Sequence, residues 1–491
     1  GMTETTPVLL PVSFTFRKIL PETVSYRLSA FNIMEQTEKF NALGEKPIGK
    51  LLMQYAIPAI IAMTASSVYN IIDGIFIGQG VGKEAIMGLA LTGPVMSLTA
   101  AFGAMVGVGA STLMSVRLGQ KDYGTAKKIL GNVVIMNVVM GLALGFLLQV
   151  FLSPILRFFG ASEATLPYAH DFMTVILAGN VVTHLYLGLN ALLRSTNRPM
   201  KAMYATFGTV GLNCVFAPVF IFVLGWGIRG AAMATILAQV CMLMWQLRLF
   251  SNKDELIHLN RGILHVDRRI VRESLVIGLP PFLINLCACT VAIVVTRSMA
   301  QYGGDIAVGA FGITNRLVLF IVMVVIGLNQ GMQPIAGYNF GARKYDRLLT
   351  VLKQATIVAT CITTVGFVVG VFFARPCVSL FAKDAPELID EAARGLRIIV
   401  LFFPLIGMQI VSTAFFQSIG YAGKSIFLSL TRQLIFLLPL LLVLPHFFED
   451  KVLGVWSAMP VSDASAAVLA AVMLLIHVKK FRKAATGDNA E

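Results

Sequence analysis

The stretch "GVGASTLMSVRLGQKDYGTAKK" occupies residues 107–128, and "GLNQGMQPIAGYNFGARKYDR" occupies residues 327–347. The second is the first moved along the chain by 222 positions: Gly109 falls on Gly331, Gly119 on Gly341 and Tyr123 on Tyr345. The same shift pairs Pro58 with Pro280, Gly82 with Gly304, Ala85 with Ala307 and Thr92 with Thr314, and a shift of 223 pairs Ser195 with Ser418 and Lys201 with Lys424. Chance agreement at one fixed offset would not favour glycine, proline and loop positions, so the chain carries an internal repeat.

Both quoted stretches end apolar runs of about twenty residues or more. Each such run is long enough to cross a hydrocarbon core of ~30 Å at ~1.5 Å per residue. Twelve are predicted, near 50–78, 85–115, 124–152, 166–193, 202–224, 229–250, 272–300, 306–334, 348–374, 393–417, 425–447 and 454–478. Of the 491 residues 57% are hydrophobic and 13% charged, and the mean hydropathy is +0.79. A soluble surface needs far more charge. The expected fold is therefore an all-α membrane protein with twelve transmembrane helices.

The net charge of +14 would suggest nucleic acid in a soluble chain. Here the lysines and arginines concentrate in the tails and in alternate loops, including Arg117, Lys121, Lys127 and Lys128 in the second, Arg343, Lys344 and Arg347 in the eighth, and Lys424 and Arg432 in the tenth. This positive-inside pattern puts both termini in the cytoplasm of a multi-pass protein. No nucleic-acid partner is expected.

The polar connection at 251–271 divides the spans six and six. Six is even, so both halves enter the membrane in the same sense. That implies two six-helix lobes related by a pseudo-twofold axis along the membrane normal, a plan on which transporters place substrate between the halves. The expected organisation is a cytoplasmic tail at 1–46, a first lobe at 47–250, a linker at 251–271, a second lobe at 272–481 and a C-terminal tail at 482–491. Pro58 and Pro280, matched by the repeat, are candidate hinges because proline removes a backbone hydrogen bond inside a helix.

The most informative polar residue is Asp73, in "SSVYNIIDGIFIGQG" at 66–80, about two turns from the end of the first span. A carboxylate within a spanning helix costs ~2.5–3.5 kcal/mol on insertion scales, which suggests a function or a buried partner. Asn70 lies one turn before it, on the same side. A second acid, Asp463, lies within the twelfth span, and Arg316 in the eighth is the partner expected for it. Tyr69, Phe76, Asn180, His184 and Gln239 are candidate cavity residues; aromatic faces attract cations, and the polar ones have the alternative of hydrogen bonds between helices.

Four stretches together resemble the multidrug and toxic compound extrusion (MATE) family: the two quoted at the outset, "IPAIIAMTASSVYNIIDGIFIG" at 57–78 and "GIRGAAMATILAQ" at 227–239; "VWSAMPVSD" at 455–463 is most similar to its bacterial branch. The resemblance covers about residues 45–480. It implies two six-helix lobes forming a V and efflux of bulky, often cationic, lipophilic compounds, driven by inward protons or sodium. It also implies a coupling aspartate at Asp73, with Asn213 and Thr235 completing a cation pocket that could take sodium. The family's second aspartate, one turn after the asparagine, is replaced by Ala217. One carboxylate suits a proton better than sodium, so proton coupling is favoured.

Other function classes fit less well. A lipid-linked saccharide flippase would want a strongly basic cavity, and only Arg297 and Arg316 are read as lying inside spans. An intramembrane enzyme would want a motif such as H-E-x-x-H or G-x-S-x-G, and neither occurs. "AGKS" at 422–425 lacks the earlier glycine and the strand of a phosphate loop. The expectation is a monomeric, non-enzymatic antiporter of a bacterial cytoplasmic membrane, with small-molecule substrates, lipid around it, no cofactor, and H+ or Na+ as coupling ion.

Overall fold

A computed structural model describes residue 38 and residues 40–381 and 385–486, without the side chains of Asn70, Ile71, Lys83 and Arg261. All regular structure among the described residues is helical. The first half contains α1 (Ile48–Gly80), α2 (Lys83–Gly119), α3 (Tyr123–Val150), α4, α5 (Pro199–Pro218, continued by a wide turn at Val219–Val223) and α6 (Gly227–Phe250). Helix α4 consists of two pieces, Leu166–Ala178 and Asn180–Ser195, bent by 56°. The second half opens with a helical stretch, Arg268–Gly341, that is broken at Gly304 into α7 (268–303) and α8 (305–341). It continues with α9 (Tyr345–Phe372), α10 (Pro386–Ser418), α11 (Ala422–His446) and α12 (Lys451–Ala485). Among the described residues twelve spans therefore stand where twelve are predicted, and most bounds move outward by a few residues because the helices extend past their apolar stretch.

The repeat reappears in the backbone. Among the described residues, left-handed conformations occur at Gly82 (φ 118°) and Gly304 (φ 63°), at Lys121 (φ 60°) and Arg343 (φ 57°), and at Asn197 (φ 61°) and Gly420 (φ 78°). Each pair is related by the shift of 222 or 223. Duplicated corners of this kind require duplicated connections, because few side chains tolerate positive φ and each such residue turns one helix into the next.

Burial shows where the halves join. One apolar core draws on both, with Tyr55, Met114 and Leu189 from the first and Ile335, Leu348 and Phe415 from the second. Two further cores belong to one half each: one around Leu152, Phe172 and Ile221, the other around Phe403 and Trp456. The lobes are fused at the end that carries both termini and parted at the opposite end. The outer faces are apolar, with Phe146 75% and Val223 76% exposed, as surfaces that meet lipid require.

At the fused end the helices meet backbone to backbone. A side-chain carbon on Gly109 (α2) would overlap the Ser274 carbonyl of α7, and one on Gly278 (α7) would overlap the Met105 carbonyl of α2. Their repeat partners behave alike: Gly331 (α8) lies against the backbone of Ala56 in α1. Small residues let helices approach closely where the hydrophobic effect cannot drive association. Pro58 and Pro280 each lie two residues beyond these contacts, inside helices that run on through them. Polar contacts reinforce the closure. Arg117 Nη2 on α2 is 3.1 Å from Glu273 Oε2 on α7, and Arg347 donates to the carbonyls of Leu43, Glu45 and Lys46, just before α1.

Candidate functional site

In the first lobe, α1, α5 and α6 bring together the residues expected to bind the coupling ion. Asn213 on α5 is 1% exposed. Its Nδ2 donates to Thr235 Oγ1 of α6 at 2.9 Å and to the Tyr69 hydroxyl of α1. Asp73 lies one turn further along α1, on the same side of the helix as Tyr69. Tyr69, sought as a cavity residue, is thus tied to Asn213 on the side of α1 that carries Asp73. The Asn70 side chain lies outside the described residues. Ala217, one turn beyond Asn213, is fully buried, and its side chain supplies no oxygen.

Two oxygens at this site are buried without a protein hydrogen bond, Asp73 Oδ1 and Asn213 Oδ1. Both are acceptors once the acid is ionised, and burying an acceptor without a donor is costly. A proton on the carboxyl removes the charge and turns one acceptor into a donor. A hard cation would instead want several oxygens arranged around it. The donor set is one carboxylate, one amide oxygen and the hydroxyls of Tyr69 and Thr235. That set fits a proton fully and sodium only with added carbonyl or water ligands.

The remaining candidate cavity residues of this lobe are internal. Asn180 is buried and donates to the Gly141 carbonyl at 3.2 Å, and buried His184 bonds through Nε2 to the Thr99 carbonyl at 3.0 Å. Gln239 Oε1 accepts from Thr183 at 2.6 Å, and Phe76 packs against the first lobe's own core. Asn180, His184 and Gln239 hold helices together within the lobe, because a polar group in an apolar bundle takes the nearest backbone or side-chain partner.

A cavity of about 750 Å3 lies at the parted end. Most of its wall comes from α7, α8, α10, α11 and α12, and Leu91 and Pro94 of α2 face it from the other lobe. Asp463 is here, but its partner differs from the one expected. Arg432 Nε donates to Asp463 Oδ1 at 2.7 Å, whereas Arg316 is exposed on α8 and does not line the cavity. Arg432 is not a loop charge either. It lies in the wide turn Thr431–Leu437 of α11, and Ser462, next to Asp463, donates to its carbonyl at 2.8 Å. Its position inside the predicted span 425–447 was the available signal. Wide helical turns of this kind concentrate at functional positions.

The family model described as MatE matches residues 58–219 and 280–443, one copy in each half. The multidrug export protein MepA of Staphylococcus haemolyticus is 27% identical over 407 residues, covering 82% of this chain and 88% of that protein. MepA of Staphylococcus aureus is 26% identical over 439 residues, covering 89% and 95%. Among solved structures, an outward-facing multidrug resistance MATE family transporter of the MOP superfamily superposes with a TM-score of 0.84 at 25% identity, covering 90% of this chain and 98% of that one. A MOP superfamily transporter from Pyrococcus furiosus gives 0.83 at 26% identity, with the same coverage.

Proposed function

Since the chain belongs to the MatE family, we propose that it is a secondary active exporter of bulky lipophilic compounds, a multidrug antiporter rather than an enzyme. The relatives named above are multidrug export proteins, and the cavity between the lobes is large enough for a drug-sized molecule. Both termini face the cytoplasm of a bacterial inner membrane, as the lysine and arginine distribution indicates. The fused end is then cytoplasmic, and the described state opens outward.

Asp73 couples export to the inward flow of a cation, with a proton favoured over sodium. The observation that carries this reading is the buried, unpartnered Oδ1 of Asp73 beside the chain of contacts Tyr69–Asn213–Thr235. A proton entering from outside neutralises the carboxylate and changes what Tyr69 and Asn213 can bond to. Because α1 also touches the second lobe at Ala56, that change biases the equilibrium between the two openings. The ion need only bind the two states unequally. A lipid-linked saccharide flippase is supported less well. The cavity offers two guanidinium groups, Arg297 and Arg432, and the Asp463 carboxylate offsets the charge of one of them, which leaves too little net charge for a pyrophosphate.

The test is dye export in inverted vesicles, wild type against Asp73→Asn, with proton and sodium gradients imposed separately. Export driven by the proton gradient in wild type, and lost in the variant while dye binding persists, is the expected result. Unchanged transport by Asp73→Asn removes that residue from the mechanism, and a strict sodium requirement reverses the choice of ion.

A further inference from the structure

The charge displayed in the cavity does not match a simple cation carrier. Among the described residues Asp463 is the one acid in its wall, and it is the less exposed of its ion pair: its side chain is 7% exposed, against 29% for Arg432. The ion pair uses Nε of Arg432, and among the described residues no hydrogen bond engages the two terminal nitrogens of this guanidinium, which lines the cavity. Arg297, on α7, lines the same space, is exposed and makes no ion pair among the described residues. Asn285 and Asn315 add amide groups, and Phe311 and Phe403 supply flat apolar wall. A molecule in this space therefore meets two guanidinium groups and one carboxylate that is already engaged.

We propose that the second-lobe wall is an oxyanion subsite, with Arg432 and Arg297 binding the carboxylate of an aromatic, amphiphilic substrate. The guanidinium fork matches a carboxylate in geometry, and a low-dielectric wall strengthens the contact. Asp463 acts here as a positioning residue: it fixes Arg432 through Nε and leaves the other donors pointing outward. The preferred cargo is then zwitterionic or anionic, and the acid-sensing first lobe is left to the coupling ion. This inference takes from the proposed function only the premise that the cavity receives cargo.

The test uses the full-length protein in lipid nanodiscs and two dyes of one skeleton, rhodamine 110 with a free carboxylate and rhodamine 123, its methyl ester. Binding is read by fluorescence anisotropy. Wild type should bind the acid more tightly than the ester. Arg297→Gln should weaken the acid by ~10-fold, as loss of a charge-assisted hydrogen bond implies, and the ester by less than ~2-fold. Arg432→Gln with Asp463→Asn, which strands no buried charge, should do the same. Equal weakening of both dyes, a wild-type preference for the ester, or no binding of the acid overturns the subsite. If the ester alone binds and is exported from proteoliposomes, the subsite falls and the efflux reading stands. If the acid binds through both arginines but neither dye is transported, the subsite stands and the efflux reading falls.

Discussion

Gly119 and Gly341 are each pressed against the helix that carries the other. A side-chain carbon on Gly119 would lie 2.1 Å from the Tyr338 carbonyl, and one on Gly341 would lie 2.1 Å from the Val116 carbonyl. The two glycines are repeat partners, and so are Tyr338 and Val116. Helices α2 and α8 therefore cross on the pseudo-twofold axis, at the fused end of the lobes. Replacing Gly341 with leucine should prevent this crossing and disfavour the described state. In a background with the native cysteines replaced, Ser274→Cys should then react with a thiol reagent faster than it does with Gly341 intact. Gly423→Ala, where an added carbon meets nothing within 4 Å, should leave the rate unchanged.

The first-lobe site has one carboxylate, and the position one turn past Asn213 is the buried Ala217. Ala217→Asp adds a second acid beside Asp73, Asn213 and Thr235. Carboxylate, amide and hydroxyl oxygens together suit a hard cation. Sodium-stimulated export should rise in the variant relative to proton-driven export, measured with each gradient imposed alone. No change in ion preference would show that Ala217 is too far from the bound ion to matter.

Asp463 and Arg432 differ in exposure, and the costs of removing them should differ accordingly. Arg432→Met leaves a buried carboxylate without its partner, at a cost of ~3 kcal/mol or more. Asp463→Leu leaves a guanidinium that can turn into the cavity and should cost nearer ~1 kcal/mol. Thermal unfolding of the detergent-solubilised protein should rank Arg432→Met below Asp463→Leu, and the double variant above Arg432→Met alone. The reverse order would mean that the pair is not held as described.

At the start of α3, Asp122 accepts from the Thr125 amide at 3.0 Å. Hydrogen bonds from the Thr125 side chain and backbone hold its carboxyl below the usual carboxylate range. A lowered folded value means that the cap is fully present above the unfolded value of ~3.9 and is lost as pH falls through the folded one. The protection factor of the Thr125 amide, its exchange rate corrected for the intrinsic pH dependence, should therefore hold at neutral pH and fall only in acid. In Asp122→Ala it should be low throughout. The second half has Lys344 at the matching position, donating instead to the Gly44 carbonyl at 2.9 Å, so its corresponding turn should show no acid transition of this kind.

Much of the architecture could be read along the chain because it depends on quantities that are local or that repeat. Span length and hydropathy follow from the thickness of a bilayer, the duplication follows from matched glycines and prolines, and the cost of burying a charge marks Asp73 wherever its helix points. The Asn213–Thr235 pairing was also legible, through the resemblance. Which way each helix faces was not. Helices such as α1 and α2 are apolar nearly all round, so no polar stripe reveals the side that meets the bundle. Only the packed structure could therefore decide that Tyr69 meets Asn213, that His184 and Asn180 turn inward, and that Asp463 takes Arg432 instead of Arg316. Those assignments depend on the rotation of one helix against another, which is settled by close contact among residues more than a hundred positions apart.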